Sequence, residues 1–291
     1  MERTISQISF DAADYPALLK EIPDAPTRLF CIGSLPPPDS ICVAIVGTRK
    51  ATAQGKEVAK RMATELAANG IVIVSGLAMG IDTMAHEGAL LGGGTTLAVL
   101  ANGLAKIYPA QNTTLAKNLL AAGGAILSEY PPDTPAYPNQ FLERNRIVSG
   151  LCVATVVIEA PERSGTLATA RFALEQGREV FVLPGPADHP NYIGSHRLIR
   201  DGARLVATAA DICEDLGITR ATQPAPQQSL FKHAATDAER AIIATLTEAG
   251  KPLTIDKLAE RTTMEARTIN AALASLIMAE AIKETERGYT I

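Results

Sequence analysis

Short runs of consecutive apolar residues alternate with helical patterns from Ile41 to about Gly217. The runs are rich in Val, Ile and Ala, which is typical of strands buried on both faces of a parallel sheet. This alternation predicts an α/β protein with an extended Rossmann-like fold, whose parallel-dominated sheet carries helices on both faces. The predicted strands cover residues 41–47, 71–76, 95–101, 125–130, 153–160, 179–184 and 203–207. The predicted helices lie near residues 52–69, 81–92, 111–122, 139–149, 165–177, 194–201 and 209–216, and Gly70, Gly123, Gly177 and Gly202 fit positions that end helices.

Changes in composition divide the chain into four segments. Residues 1–40 are too short for a core of their own, so we expect an N-terminal extension packed on the Rossmann-like domain of residues 41–217. Residues 218–236 are rich in Thr, Gln, Pro and Ala, which is typical of a flexible linker. Residues 237–291 show three helical patterns and then a short extended piece with a turn at Arg287-Gly288, which predicts a winged-helix domain.

The predicted winged-helix domain is slightly acidic. It holds 7 Lys and Arg against 9 Asp and Glu, a net charge of −2. A helix that reads DNA should present basic residues to the phosphates. Although its third helix contains Arg267, the charge balance favours contact with a protein over contact with DNA for this module.

The charge of the whole chain limits the possible functions. With 27 Lys and Arg against 31 Asp and Glu, the net charge of −4 excludes a uniformly basic nucleic-acid binder but leaves room for a local basic pocket. The scattered cysteines form no CxxC pair, which indicates reduced thiols and no zinc site. The chain opens on no signal-peptide pattern and has no apolar run that would span a bilayer, so we expect a cytoplasmic protein without a membrane partner.

Several predicted strands end in glycine-rich, polar turns. Gly47-Thr48-Arg49 follows the first strand, Ser75-Gly76 ends the second, and Ser164-Gly165-Thr166 opens a helix after the fifth. Parallel strands bring their carboxyl ends to one edge of the sheet, where helix N-termini and a permanently charged Arg suit phosphate. Each turn alone also fits ordinary structure, such as a strand exit with a surface Arg or, for Asp82, a helix cap. Their convergence predicts an anion-binding site.

The segment Phe141-Leu142-Glu143-Arg144-Asn145-Arg146 is the strongest feature without glycine. Two arginines two positions apart cannot share one helix face. Arg144 and Arg146 should therefore serve different roles, such as one phosphate contact and one internal pair. Phe141 is either a platform that stacks on a base or part of the core.

The sequence contains no recognisable catalytic constellation. The four histidines lack metal-ligand spacing, and His86 follows Asp82 by four positions, as a surface pair on one helix face would. There is no GxSxG turn, HExxH helix or Walker lysine, and no GxGxxG fingerprint followed by an acidic residue. We therefore expect no catalytic residue, no metal and no cofactor.

Taken in order, these motifs resemble those of the DNA-processing protein A family, also called Smf, which acts in bacterial natural transformation. The resemblance covers about residues 10–217, and the C-terminal module fits the winged-helix domain of that family. The matching segments are Tyr15-Pro16 through Gly33, Val43 to Arg49, Ser75 to Asp82 with His86, Tyr108-Pro109 with Asn112, Ser128 to Pro131, Arg144 to Gly150, Glu159 with Ser164-Gly165-Thr166, Pro184-Gly185, and Gly194 to Ala203.

The resemblance implies a protein that binds single-stranded DNA without strong sequence preference and helps to load the recombinase RecA onto it. It also implies a homodimer formed through the Rossmann-like domain, with no cofactor and no turnover. Carried over by position, Arg144 and Arg146 would extend the basic surface and Phe141 would stack on a base. The residues that would bind DNA are Gly47, Thr48, Arg49, Ser75, Gly76, Phe141, Arg144, Asn145, Arg146, Ser164, Gly165 and Thr166.

Two features depart from the family pattern. Met79 stands where many members carry Arg, and no Lys or Arg lies between Tyr130 and Phe141, a stretch that is often basic in the family. Together they predict single-strand binding that is weaker or more salt-sensitive than in a more basic relative. Because fewer phosphates are neutralised, they also predict a shallower slope of log K against log salt.

Two other functions remain open at this point. One is a nucleotide-hydrolysing Rossmann enzyme of the phosphoribohydrolase type, although the contiguous PGG-x-GT motif of such enzymes is absent. The other is a scaffold with a vestigial pocket, whose winged-helix domain binds a partner protein.

Overall fold

Nine strands form the central sheet of this chain. The computed structural model describes residues 4–218, 236–262, 264–278, 282–285 and 288–290. The chain divides into two compact units, Met1–Arg220 and Ala221–Ile291. Apart from Ile218 and Thr236, the predicted linker over residues 218–236 lies outside the described residues, as do His233 and Arg287.

All seven predicted strands of the first unit are present, although each is shorter than its apolar run. Two further strands come from the predicted N-terminal extension, which therefore belongs to the sheet. The strands are β1 (Ser6–Ser9), β2 (Arg28–Gly33), β3 (Cys42–Val46), β4 (Val72–Ser75), β5 (Thr96–Val99), β6 (Ala125–Ser128), β7 (Ala154–Val157), β8 (Glu179–Val182) and β9 (Arg204–Leu205).

The predicted helices of this unit are also confirmed, with ends that shift by no more than two residues. All four predicted C-terminal glycines adopt a left-handed backbone, with φ between 68° at Gly177 and 105° at Gly202. No helix among the described residues is both long and apolar enough to cross a membrane. The helices are α1 (Ala17–Lys20), α2 (Ala53–Ala68), α3 (Ile81–Leu91), α4 (Thr113–Ala121), α5 (Pro138–Gly150), α6 (Gly165–Glu175), α7 (Ile193–Arg200) and α8 (Ala209–Asp215).

The strand order explains where a ligand can enter. The sheet runs β1-β2-β6-β5-β4-β3-β7-β8-β9, so the chain builds outward from β3 in one direction and from β7 in the other. The pairings from β6 to β9 are all parallel, whereas β1 and β2 join antiparallel. The crevice beyond the carboxyl ends of β3 and β7 is therefore a topological switch point, the usual place for a ligand in such a sheet.

Helices cover both faces of the sheet, as the continuous apolar strands require. In β3, Ala44 and Val46 belong to the apolar cluster that includes residues of α5 and α6. The intervening Val43 and Ile45 belong to the opposite cluster, with residues of α2 and α3. This alternation places α5 and α6 on one face and α2 and α3 on the other, with the switch-point loops between them.

The second unit has the three helices and hairpin of a winged helix. Its elements are α9 (Asp237–Ala249), α10 (Ile255–Thr262), α11 (Ala266–Met278), β10 (Lys283–Thr285) and β11 (Gly288–Thr290). Leu246, Leu258 and Leu273, one from each helix, share a buried core. Strands β10 and β11 pair antiparallel, and Tyr289 also bridges to Leu253. This unit has a core of its own.

Candidate functional site

The predicted turns meet at the switch point. The N–H of Thr48 donates to the carbonyl of Glu159 at 2.9 Å, which ties the loop after β3 to the end of β7. The N–H of Ile81 donates to the carbonyl of Thr48 at 3.3 Å, which brings in the loop after β4. Three loops that are distant in sequence therefore form one polar surface.

These loops and α5 enclose an open cavity of about 570 Å³, which we call the cationic cavity. All of the predicted site residues except Ser75 and Arg146 line it, together with Lys50, Asp82 and Arg163. Ser75 is buried behind the cavity, where its hydroxyl donates to the carbonyl of Ile45 at 2.7 Å and so joins β4 to β3. Of the charged side chains that line the cavity, Arg49, Lys50, Arg144 and Arg163 are basic and only Asp82 is acidic among the described residues.

The N-terminus of α6 forms one wall of the cationic cavity. Ser164 is the N-cap residue, and its hydroxyl oxygen accepts from the N–H of Thr166 at 3.1 Å. From α5, the amide of Asn145 donates to the carbonyl of Gly165 at 3.2 Å. These two hydrogen bonds hold the first turn of α6 in place. The positive end of the α6 dipole therefore faces the cavity.

Arg49 and Phe141 stand together at the rim. Arg49 is exposed, and its guanidinium carbon lies 4.8 Å from the centre of the Phe141 ring. The Tyr108 ring lies 5.7 Å from Phe141 at a tilt of 60°. Phe141 is half-buried at the rim and is not among the residues of the buried apolar clusters.

Arg144 is the buried cation of the site and is only 4% exposed. Its Nη1 donates to the carbonyls of Gly76, at 2.8 Å, and Val99, while its Nε donates to Asn145 Oδ1 at 3.3 Å. Nη2 has no hydrogen-bond partner among the described residues. Burial lowers the pKa of Arg144 to about 10, with Asp82 favouring and Arg49 disfavouring its charge. A cation held in this way at the cavity surface suits an anionic ligand.

The loop after β4 depends on Arg144 and Asp82. A side chain at Gly76 would place its Cβ about 2.4 Å from the Arg144 guanidinium, so a larger residue there would have to displace that guanidinium. The sequence suggested that Asp82 could serve as a helix cap, but it does not cap α3. Its carboxylate instead accepts from the N–H groups of Gly76, at 3.1 Å, and Ala78, at 3.4 Å, and burial raises the pKa of this carboxyl. The N-cap of α3 is Gly80, with φ of 88°.

Arg146 lies on the other side of α5, away from the cationic cavity. Two positions along a helix turn a side chain by about 200°, which separates it from Arg144. Its guanidinium forms a two-pronged ion pair with Glu129, at 2.8 and 2.7 Å, and a further contact with Asp24 at 3.2 Å. Arg146 is thus the internal pair that the spacing allowed, and the structure does not bring it to the basic surface that the resemblance implied.

His86 and Asp82 are both buried, which excludes the surface pair that the sequence had left open. Its Nδ1 lies 2.7 Å from the Thr96 hydroxyl, which itself donates to the carbonyl of Ile73. Burial lowers the pKa of His86 to about 3, so the ring is neutral near pH 7. No histidine lines the cationic cavity among the described residues, and these residues contain no cluster suited to a metal ion.

A second cavity of about 810 Å³ adjoins the first, and the sequence did not reveal it. We call it the alanine-rich cavity, since Ala78, Ala101, Ala105, Ala110 and Ala136 line it. The two cavities share Arg49, Gly76, Ala78, Tyr108, Phe141 and Arg144. Met79, the position that departs from the family pattern, is 44% exposed and also lines this second cavity.

Two family models match the chain. The model described as DNA recombination-mediator protein A matches residues 6–217, and the DprA winged helix domain matches residues 220–285. Among curated proteins, Protein Smf of Escherichia coli (strain K12) is 40% identical over 284 residues, covering 97% of this chain and 76% of the relative. DNA processing protein DprA of Bacillus subtilis (strain 168) is 43% identical over 216 residues, covering 74% and 72%.

Solved structures show the same similarity. DNA processing protein A from Streptococcus pneumoniae superposes with a TM-score of 0.68 at 40% identity, covering 73% of this chain and 74% of that one. DNA processing protein A from Helicobacter pylori, whose structure was determined to describe its single-stranded DNA binding mode, superposes with a TM-score of 0.66 at 32% identity, covering 74% and 96%.

Proposed function

This chain belongs to the DNA recombination-mediator protein A family, and we propose that its first unit binds single-stranded DNA without sequence preference through the cationic cavity. The observation that carries the proposal is the charge of that cavity, where four basic side chains face one carboxylate in a chain of net charge −4. Such a local field attracts a polyanion even though the whole chain is acidic.

Each wall of the cavity is suited to part of a single strand. The N-terminus of α6 and the unpartnered Nη2 of Arg144 can receive phosphate oxygens. Phe141 and Tyr108 offer aromatic faces at the rim, on which a base can stack whatever its identity. A duplex keeps its bases stacked inside, so this combination of phosphate and ring contacts favours a single strand.

The cavity lacks the groups that nucleotide hydrolysis would require. Asp82 already accepts from two loop N–H groups. Glu159, which is fully buried, accepts from Thr52, Asn191 and Tyr192. Neither carboxylate is free to serve as a general base, and no histidine lines the cavity among the described residues. We therefore propose a binding protein rather than an enzyme.

The proposal extends to partners and place in the cell. Following the family resemblance, we propose that the protein delivers the bound strand to the recombinase RecA, acts as a homodimer through its first unit, and works in the cytoplasm. We also propose that residues 218–236 link the two units flexibly and that the acidic winged-helix domain contacts a protein.

The test is binding of a fluorescent oligo-dT strand across a salt series, with matched duplex as competitor. We expect selective binding of the single strand, with log K falling linearly with log salt by about 0.7 per neutralised phosphate. Equal competition by duplex, or no binding at low salt, would refute the proposal. In the latter case, release of base or phosphate from nucleoside monophosphates would be measured to test the enzyme.

A further inference from the structure

The loop after β3, residues 47–52, brings two of the four basic side chains to the cationic cavity. Arg49 and Lys50 are exposed, and neither forms an ion pair with the described residues. Within the loop, the N–H of Lys50 donates to the Thr48 hydroxyl at 3.2 Å, which turns the chain but does not fix its position. The start of the loop is anchored by the bond from Thr48 to the carbonyl of Glu159. The remainder of the loop is held by contacts from outside the cavity.

Asn191 holds the middle of this loop. It lies in the short helical turn Pro190–Tyr192 that precedes α7, and it lines neither cavity. Its Nδ2 donates to the carbonyl of Lys50 at 3.1 Å and to Glu159 Oε2 at 2.7 Å. A side-chain amide nitrogen carries two N–H groups, so both bonds can form at once. Asn191 thus ties the backbone of Lys50 to a buried carboxylate.

Glu159 holds the end of the same loop. Its Oε2 also accepts from the N–H of Thr52 at 3.1 Å, and its Oε1 accepts from the Thr52 hydroxyl. The hydroxyl of Tyr192, next to Asn191, donates to Oε1 at 3.2 Å. Because Thr52 is the N-cap of α2, the carboxylate joins the beginning of this helix to the turn that carries Asn191. The loop is therefore held near its start, its middle and its end.

The turn that carries Asn191 is itself anchored. The N–H of Asn191 donates to His189 Nδ1 at 3.2 Å. The N–H groups of Gly194 and Ser195 donate to the carbonyl of Ala160, at 2.9 and 3.2 Å. The Ser195 hydroxyl in turn accepts from the N–H of Ala160 at 3.1 Å. Asn191 is therefore presented to the loop by a fixed part of the fold.

We propose that Asn191 is a positioning residue for the binding of single-stranded DNA, an inference that rests on the proposed function. Asn191 itself reaches neither cavity. It holds the backbone of Lys50, so that Arg49 and Lys50 stand at the cationic cavity before the strand arrives. A loop that is already ordered loses less conformational entropy when a ligand binds, so its contacts contribute more to affinity. Loss of the Asn191 amide should therefore weaken binding through Arg49 and Lys50.

The test is a double-mutant cycle on the affinity for oligo-dT. Asn191→Ala is compared with the wild type, and the same substitution is compared with a chain that carries Arg49→Ala and Lys50→Ala. The matched control is Asn69→Ala at the C-terminal end of α2. Like Asn191, Asn69 is half-buried and donates its Nδ2 to a backbone carbonyl, at 2.7 Å, but it has no contact with the loop and lines neither cavity. The titrations start at low salt, where weakened variants still bind, and extend over a salt series.

In the wild-type background, Asn191→Ala should weaken binding about five- to ten-fold. It should also lower the slope of log K against log salt toward that of the chain without Arg49 and Lys50. In that chain the same substitution should change affinity by less than about two-fold, because the groups that Asn191 positions are gone. Asn69→Ala should bind as the wild type does. An equal loss in both backgrounds, or a loss without a change in slope, would show that the neutral amide contacts DNA itself and would overturn the proposal.

Urea denaturation of each chain separates positioning from stability. A purely structural role for Asn191 would lower the free energy of unfolding and leave the oligo-dT affinity of the folded protein unchanged, which would also overturn the proposal. Asn191→Ser is the second variant, since a hydroxyl has a single proton and cannot bond both acceptors at once. It should be more stable than Asn191→Ala and show the same dependence on Arg49 and Lys50. A wild type that does not bind oligo-dT at low salt would instead refute the proposed function.

Discussion

Removal of the Arg49 side chain should separate DNA binding from stability. Arg49 is exposed and forms no ion pair with the described residues, and its contact is with the Phe141 ring at 4.8 Å. An exposed contact of this kind contributes about 0.5–1 kcal/mol. Arg49→Ala should therefore lower the free energy of unfolding by no more than that.

The expected effect on binding is larger. A charge-assisted hydrogen bond to a phosphate contributes about 1.5–3 kcal/mol, which corresponds to a loss of roughly 10- to 150-fold in affinity. Loss of one phosphate contact should also reduce the slope of log K against log salt by about 0.7. Arg49→Lys keeps the charge but not the planar fork, so it should restore the slope more fully than the affinity.

The measurement is fluorescence anisotropy with oligo-dT at several salt concentrations, beside urea denaturation of each variant. Arg171→Ala is the matched control, since Arg171 is exposed on α6, pairs with Glu175 and lines neither cavity. Unchanged affinity and slope in Arg49→Ala would remove Arg49 from the site. An equal loss in Arg171→Ala would show that binding follows overall charge and not the cavity.

Three further predictions concern stability and domain roles. Because burial lowers the pKa of His86 to about 3, the unfolded chain binds more protons below pH 6.5, and stability should fall by about 2 kcal/mol from pH 7 to pH 5 in urea denaturation. In His86→Asn this loss of stability between pH 7 and pH 5 should disappear. Burial raises the pKa of Asp82, which contributes to the pH dependence with the opposite sign, but that contribution is the same in the wild type and the variant. Glu159→Gln should lower Tm by roughly 6–12 °C, because the amide N–H groups would face donors that now point at a carboxylate. The control Glu175→Gln, at an exposed position, should change Tm little. Deletion of residues 222–291 should leave oligo-dT affinity within about three-fold, since the lost module is acidic, and a larger loss would show that this module binds DNA.

The main sheet could be predicted because its strands are buried on both faces and so read as continuous apolar runs. The same reasoning could not find β1 and β2. β1 is four residues long with one buried position, and β2 begins with an exposed arginine. β2 pairs antiparallel with β6, which lies about a hundred residues further along the chain, and β1 in turn pairs antiparallel with β2. The apolar run of β2 is visible in the sequence, but its pairing over that distance is not.

For the site, the sequence predicted which residue types take part but not which way each side chain points. Helix periodicity required that Arg144 and Arg146 point in different directions, but it could not say which of them faces the ligand. That choice was made by Glu129, at the end of β6, which holds Arg146 on the far side of α5. The resemblance assigned both arginines to the basic surface because it carries over residue types and not the partners that neutralise them.

Asn102 shows why the second cavity stayed hidden until the structure was known. Nothing in the residue type distinguishes it from an ordinary loop asparagine, and its two hydrogen bonds to Gly103 and Lys106 are local ones. Its Oδ1 is one of five buried side-chain atoms that have no hydrogen-bond partner among the described residues. Native proteins satisfy nearly all buried polar groups, and no local pattern in the sequence shows which of them are left unpaired, so Asn102 can be singled out only from its surroundings in the fold.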